Sequence, residues 1–199
     1  MRDLLYILLT TVLANNVMFV RFEGLCSFMS CPGRKSSVRF LTFSTGFVLI
    51  CSSVFSWLAN RYILVPLNAS YLKTVVTVFI IACFVQIVDN VTSAQFPRFR
   101  EDMGICLVLI ASNSAVLAVC LDSASPESTL MSTVLSAVGT ALSFGLSMFL
   151  FGGVRSRIEN SNVPECFKGI PSALIAASIV SLAFFGFEGV VTGIFSMGL

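Results

Sequence analysis

Seven cysteines and no histidine set the chemistry open to this chain of 199 residues. Without histidine, Ser-His-Asp triads and His metal sites are excluded. The cysteines are Cys26, Cys31, Cys51, Cys83, Cys106, Cys120 and Cys166. Their number is odd and no pair is spaced C-x-x-C, so a disulfide framework is not expected. Cys51, Cys83 and Cys106 fall inside apolar runs, where a thiol is expected to pack as a small hydrophobe. Cys26 stands apart. It closes Gly24-Leu25-Cys26 beside Arg21 and Glu23, and a glycine there lets the backbone turn sharply. A thiolate is a soft metal ligand, which makes Cys26 a candidate.

The second chemical feature is a set of amides and hydroxyls within apolar sequence: Asn15, Asn16, Asn113 and Ser114. A polar group at membrane depth must find a partner, because no water is there to supply one. Two readings are open. Such groups can bind helices together, worth about 0.6–2 kcal/mol each. They can instead line a site where two helices break near the membrane midplane. Gln86, Asp89 and Glu188 stand near the ends of apolar runs and are expected at the interface. No cluster of buried acids suggests a proton or sodium cage. There is no P-loop or dinucleotide glycine fingerprint. Gly152-Gly153, Gly186 and Gly189 are expected at turns or close helix packing.

The elements that must position these residues follow from composition. Apolar residues make up 56% of the chain and charged residues 11%. The mean hydropathy is +0.94. A soluble domain carries about 25% charged residues. These values exclude a soluble enzyme, a nucleic-acid binder and a disordered chain. Long continuous apolar runs point to membrane helices rather than a barrel. Six stretches lack Asp, Glu, Lys and Arg: 4–20, 40–58, 74–88, 103–121, 128–154 and 169–187. A span needs roughly 17–25 residues. The third is shorter, but 70–71 and 91–92 can extend it while Lys73 snorkels. Arg2 and the first run lack a small-x-small cleavage site, so that run is expected to stay as a helix. The expectation is an all-α membrane protein of six transmembrane helices in one integral membrane domain, 1–199.

Charge orients it. Arg21, Arg34, Lys35, Arg39, Arg98, Arg100, Arg155, Arg157 and Lys168 fall in loops on one side; only Arg2, Arg61 and Lys73 fall on the other. The positive-inside rule places the first set in the cytoplasm and both termini outside. An offset of 98 sets 14–18 on 112–116, the second span on the fifth and the third on the sixth. Three helices per half is an odd number, so repeats 1–98 and 99–199 would lie in opposite orientations. The first and fourth helices are expected to be broken at the matched asparagines.

Several ordered runs carry a resemblance. They begin with Val12-Leu13-Ala14-Asn15-Asn16 and Phe22-Glu23-Gly24-Leu25-Cys26-Ser27-Phe28-Met29. They continue with Ile63-Leu64-Val65-Pro66-Leu67-Asn68, Tyr71-Leu72-Lys73-Thr74 and Ser112-Asn113-Ser114-Ala115-Val116-Leu117. They end with Val163-Pro164, Phe167-Lys168-Gly169 and Ser181-Leu182-Ala183-Phe184-Phe185-Gly186-Phe187. Over nearly the whole chain, this set resembles the A-type membrane subunits of Rnf complexes. The related D-type and E-type Nqr subunits share the layout and are the nearest alternative; a small inverted-repeat transporter is a further one.

The resemblance implies a bacterial inner-membrane complex that couples electron transfer to sodium or proton translocation. It implies a paralogous E-type partner in opposite orientation, further subunits of B, C, D and G types, and a surrounding lipid bilayer. It also implies a two-iron two-sulfur cluster shared by the two paralogues. Each supplies one cysteine after Gly-Leu and one after Asn. Cys26 matches the first position. Ser114 stands at the second, where the family has cysteine, and its oxygen is a harder donor than thiolate. Ser114 as alkoxide, Cys106 or Cys120 as substitutes, Cys31 in the same loop, or an altered or absent cluster all remain open. No covalent flavin is expected, because Ser44-Thr45-Gly46-Phe47 does not match the flavin attachment motif of related subunits. The chain would relay electrons as one part of the complex and would not be catalytic alone.

Overall fold

A computed structural model describes residues 12, 16–26, 35–95, 108–125, 128–159, 164 and 167–196. Among these residues the regular structure is entirely helical. Helix α1 runs Lys35–Ala59, α2 Lys73–Gln95, α3 Ser114–Ser123, α4 Leu130–Glu159 and α5 Ile170–Ser196. A helix satisfies its backbone groups within its own segment, which is what an apolar surrounding demands.

The interruptions are as informative as the helices. At the end of α1 the winding loosens into a π turn, Asn60–Leu64, and the Val65 N–H reaches back to the Asn60 carbonyl at 3.0 Å. Pro66 follows, and its ring and missing N–H prevent the helix from continuing. Asn68 takes a positive φ of 51°. A short 3₁₀ turn, Ser70–Leu72, then leads into α2. Farther along, residues 108–111 are helical, but the ladder stops at Ser112 and resumes at Ser114. Asn113 there has extended backbone, with φ −73° and ψ 113°. Gly169, at φ +88°, turns the chain into α5, and Pro171 lies in the first turn where no helical N–H bond is lost.

Helix α1 is the hub of the packing and lies against α4, α3 and α2, while α4 also meets α5. Leu41, Val48, Leu49, Phe144 and Met148 form the centre with Phe19 and Val116. The α1–α4 approach is close because small residues face each other. A Cβ added at Gly145 would lie 3.3 Å from Thr42 Cγ2, and one at Gly46 would lie 3.6 Å from Ala141 Cβ. These two glycines hold the close contact that the sequence suggested for others. A Cβ at Gly152, Gly153 or Gly186 meets nothing within 4 Å among the described residues.

Polarity is turned inside out. Ser52, Ser53, Thr45, Ser143 and Ser147 are fully buried, whereas Phe43 is 78% and Phe149 80% exposed. In water such an apolar surface would drive association; against lipid it needs no further cover. Three helical segments are long and apolar enough to cross a membrane: Val38–Leu64, Ser70–Ser93 and Leu130–Ile158. Val108–Ser123 and Ile170–Gly186 are shorter apolar helices. Helix α5, Ile170–Ser196, is itself as long as a span, and the fourth expected span, 103–121, enters the described residues only at Val108, so the expectation of six crossings is met in part within the described residues. Most of the first expected span, 4–20, lies outside them. One expected boundary also moves. Helix α2 continues through Asp89 to Gln95, with Ser93 Oγ donating to Asp89 Oδ1 at 3.4 Å. Cys83 is exposed on α2 and not packed inside, and Cys51 is half-buried.

Candidate functional site

The site begins with two asparagines that do the same local work. Asn16 Oδ1 accepts from the backbone N–H groups of Met18 and Phe19, both at 3.1 Å. Asn113 Oδ1 accepts from the Ala115 N–H at 3.0 Å and caps α3. An asparagine at such a position satisfies N–H groups that have no helical partner. Both residues are buried. The equivalence thus pairs Asn16 with Asn113, one residue away from the pairing given by the offset of 98. Asn15 lies outside the described residues, as do Cys31, Cys106 and Cys166.

Past Asn16 the chain does not continue as a long helix. It makes one turn over 17–20, with the Val20 N–H bonded to the Asn16 carbonyl at 2.9 Å. Val17, Met18 and Phe19 are buried, so this turn lies in the core. Phe19 stacks on Phe184 with ring centroids 5.0 Å apart. Two serines of α4 and one of α5 hold the segment. Ser147 Oγ donates to Asn16 Oδ1 at 2.8 Å, Ser143 Oγ donates to the Val12 carbonyl at 3.5 Å, and Ser181 Oγ donates to the Phe19 carbonyl at 2.6 Å. Sequence reasoning passed over these serines. Their signal was the Ser143-x-x-x-Ser147 spacing, which puts two hydroxyls on one face of an apolar helix.

The chain then reverses. Phe22 at φ 56° and Gly24 at φ 82° are both left-handed, and helical conformation resumes at 25–26. Gly24 is packed hard against the start of α3. A Cβ there would lie 3.0 Å from Asn113 Oδ1, 3.1 Å from Phe144 Cε2 and 3.3 Å from Ala115 Cβ. Glycine is required twice over, by backbone conformation and by space. The Gly24 N–H donates to Ser114 Oγ at 3.0 Å. One hydrogen bond therefore joins the turn that carries Cys26 to the start of α3, across 90 residues of sequence.

Charge gathers at the same turn. Arg21 Nη1 and Asp122 Oδ2 form an ion pair at 3.4 Å, both largely exposed. Burial pushes the Glu23 carboxyl above its ordinary range; Arg21 pulls it down and Asp122 pushes it up. Among the described residues, Glu23 Oε2 is shielded from solvent without a hydrogen-bond partner, and so is the Asn113 Nδ2 donor.

The cysteines divide. Cys26 is exposed beyond the turn, and Ser114 is exposed at the start of α3. Cys120 is buried, with its thiol 3.2 Å from Ser52 Oγ and 3.7 Å from Ser53 Oγ on α1. It lies six residues after Ser114, about 9 Å along a regular helix. Among the described residues no three Cys, Asp or Glu side chains gather as a metal site. A half-site fits better. The junction offers one accessible thiol at Cys26, a backbone turn with no room for a side chain, and a buried amide donor at Asn113 that has no partner among the described residues. Sulfur in an iron–sulfur centre accepts such N–H bonds, which tune its potential. At this junction the chain presents one thiol, at Cys26, and one hydroxyl, at Ser114, donors that would suit half of a cluster shared with another chain.

Comparison with known proteins agrees with the resemblance seen in sequence. The family model described as Rnf-Nqr subunit, membrane protein, matches residues 4–191. The A-type subunit of the ion-translocating oxidoreductase complex of Proteus mirabilis is 39% identical over 191 residues, covering 96% of this chain and 99% of its own. Proteins of the same name from Hahella chejuensis and Pasteurella multocida are 39% and 38% identical, each over 96% of this chain. Matched along nearly its whole length, the chain belongs to the Rnf-Nqr family of membrane subunits.

Proposed function

We propose that this chain is an integral membrane subunit of an Rnf-type complex that couples electron transfer to translocation of sodium ions or protons. The supporting observation is the 3.0 Å hydrogen bond that docks the Cys26 turn on the start of α3. That contact brings the two chemically distinctive segments of the sequence to one place, within a chain akin to subunits named for ion-translocating oxidoreductases. Cys26 would hold one iron of a two-iron two-sulfur cluster shared with a paralogous E-type subunit lying in the opposite orientation. Such a cluster, when bound, takes up and gives up one electron at a time.

The residues of the chain itself do the positioning. Gly24 brings the turn against Asn113 and Ala115 without a side chain between them. The Asn16 and Asn113 side chains cap the start of the 17–20 turn and the start of α3, and both are buried. Phe19, Phe144 and Phe184 fill the space behind the turn with apolar rings and exclude water. The other subunits, of B, C, D and G types, would supply the donor, acceptor and soluble parts. In the bacterial inner membrane, the Lys and Arg bias favours both termini on the outer side, counted without Arg21, which pairs with Asp122 beyond the fourth expected span and so leaves eight against three.

The test is purification of the complex through a tag on this chain. The reading expects flavoprotein subunits and iron to copurify and expects the chain alone to be unstable. Solute uptake by the isolated chain, with no associated subunits, would favour a small inverted-repeat transporter and overturn it.

A further inference from the structure

We infer that Ser114 is a positioning residue: its hydroxyl fastens the Cys26 turn to the start of α3 by accepting the Gly24 N–H, and it does not ligate iron. The inference rests on the proposed shared cluster for its bearing on electron transfer, but the fastening itself stands on geometry. Ser114 Oγ lies 3.0 Å from the Gly24 nitrogen. The Gly24 N–H has no helical partner to replace it, because φ is +82° and the chain is reversing. An unpaired backbone donor in packed surroundings is costly. The turn also cannot slide away to find another acceptor. Asn113, Ala115 and Phe144 already stand within 3.0–3.3 Å of the place a Cβ would occupy.

Ligation would ask something different of the same oxygen. A serine ligand must lose its proton, which a hydroxyl holds far more tightly than a thiol does. The resulting oxygen is also a hard donor in a centre that favours sulfur. A neutral hydroxyl that accepts one N–H bond incurs neither cost. The site in this chain is therefore asymmetric. Cys26 supplies its one thiolate, and Ser114 supplies the hydrogen bond that sets where this thiolate sits.

The experiment uses the purified complex with Ser114→Ala, Ser114→Thr and Cys26→Ala in this chain. Three quantities are read: iron per complex, the paramagnetic spectrum of the reduced state, and amide hydrogen exchange of the peptide over 16–26. Ser114→Ala is expected to retain iron, to shift the spectrum slightly, and to speed exchange at Gly24 by about three- to tenfold, as loss of one hydrogen bond implies. Ser114→Thr keeps a hydroxyl and should restore both exchange and spectrum. Cys26→Ala should lose iron while Gly24 exchange stays slow.

If Ser114→Ala loses iron as completely as Cys26→Ala, the hydroxyl is a ligand and the inference is overturned. Unchanged Gly24 exchange in Ser114→Ala overturns it as well. If Ser114→Ala does not assemble, Ser114→Thr decides, because wild-type exchange and spectrum are required of it. A wild-type complex without iron would defeat the shared cluster alone, since the exchange measurement still reports the fastening.

Discussion

Gly24 shows how one residue can decide a site. At φ +82°, an alanine would adopt a left-handed conformation that costs about 1–2 kcal/mol. Its Cβ would also press on Asn113 Oδ1 at 3.0 Å. Gly24→Ala should therefore lower the thermal midpoint of the detergent-solubilised complex and weaken the docking of the Cys26 turn. An unchanged midpoint would mean that the turn is not packed as described. Glu23, its neighbour, gives a pH prediction. Its carboxyl is raised above the ordinary range, chiefly by burial. A carboxyl raised in the folded state resists ionisation there, so its contribution to stability is complete below the ordinary carboxylate value. That contribution is lost as pH rises through the folded-state value. Glu23→Gln should thus be more heat-stable than wild type at pH 8, with the gap closing towards pH 4. A gap that widens on acidification would contradict the assigned direction. Cys26 and Ser114 were both legible in sequence as residue types at family positions. The bond between Gly24 and Ser114 was not, because it joins residues 90 apart and depends on a left-handed turn that no local pattern announces.

Among the elements, the α1–α4 crossing carries the most packing and offers the clearest contrast. Gly145→Leu would drive a branched side chain into Thr42, which lies 3.3 Å from where even a Cβ would stand. Overpacking of this kind costs about 1–3 kcal/mol. Gly153→Ala faces open space and should leave stability within about 0.5 kcal/mol of wild type. Thermal midpoints of the two variants, measured side by side, check the prediction; equal losses would contradict it. The sequence offered Gly152, Gly153, Gly186 and Gly189 for helix contacts or turns, and not Gly46 or Gly145. Glycine pairs draw attention, yet only the facing helix decides which glycine is needed. The long helices were legible because unbroken apolar runs leave the backbone no other partner. Their ends were less so. The charge-free third run, 74–88, was expected to extend to 92, whereas α2 carries Asp89 through to Gln95, with Ser93 Oγ donating to the carboxylate. The interruption at Asn113 was readable from an amide in an apolar run, since asparagine competes for backbone N–H groups. The single turn after Asn16 depends on Ser147 and Ser181, on helices far along the chain.

For the whole molecule, many hydroxyls and amides lie within while Phe43, Phe79 and Phe149 face outward, which suits a protein dissolved in lipid and joined to other subunits. Composition alone made that legible. The count of crossings was less so, because Asn16 and Asn113 cap new turns within two of the expected runs. Orientation is testable. Reporter fusions after Leu199 should report the outer side, and fusions near Arg157 the cytoplasm; the reverse result would overturn the charge argument. The central claim is that Cys26, held at this junction, serves electron transfer that drives ion movement. Its most direct test is redox-driven ion uptake by inverted membrane vesicles from cells whose only copy of this chain carries Cys26→Ala. The account predicts that the complex assembles in normal amount while redox-driven uptake falls to the level of vesicles lacking the complex. Uptake equal to wild type from the assembled Cys26→Ala complex would contradict it.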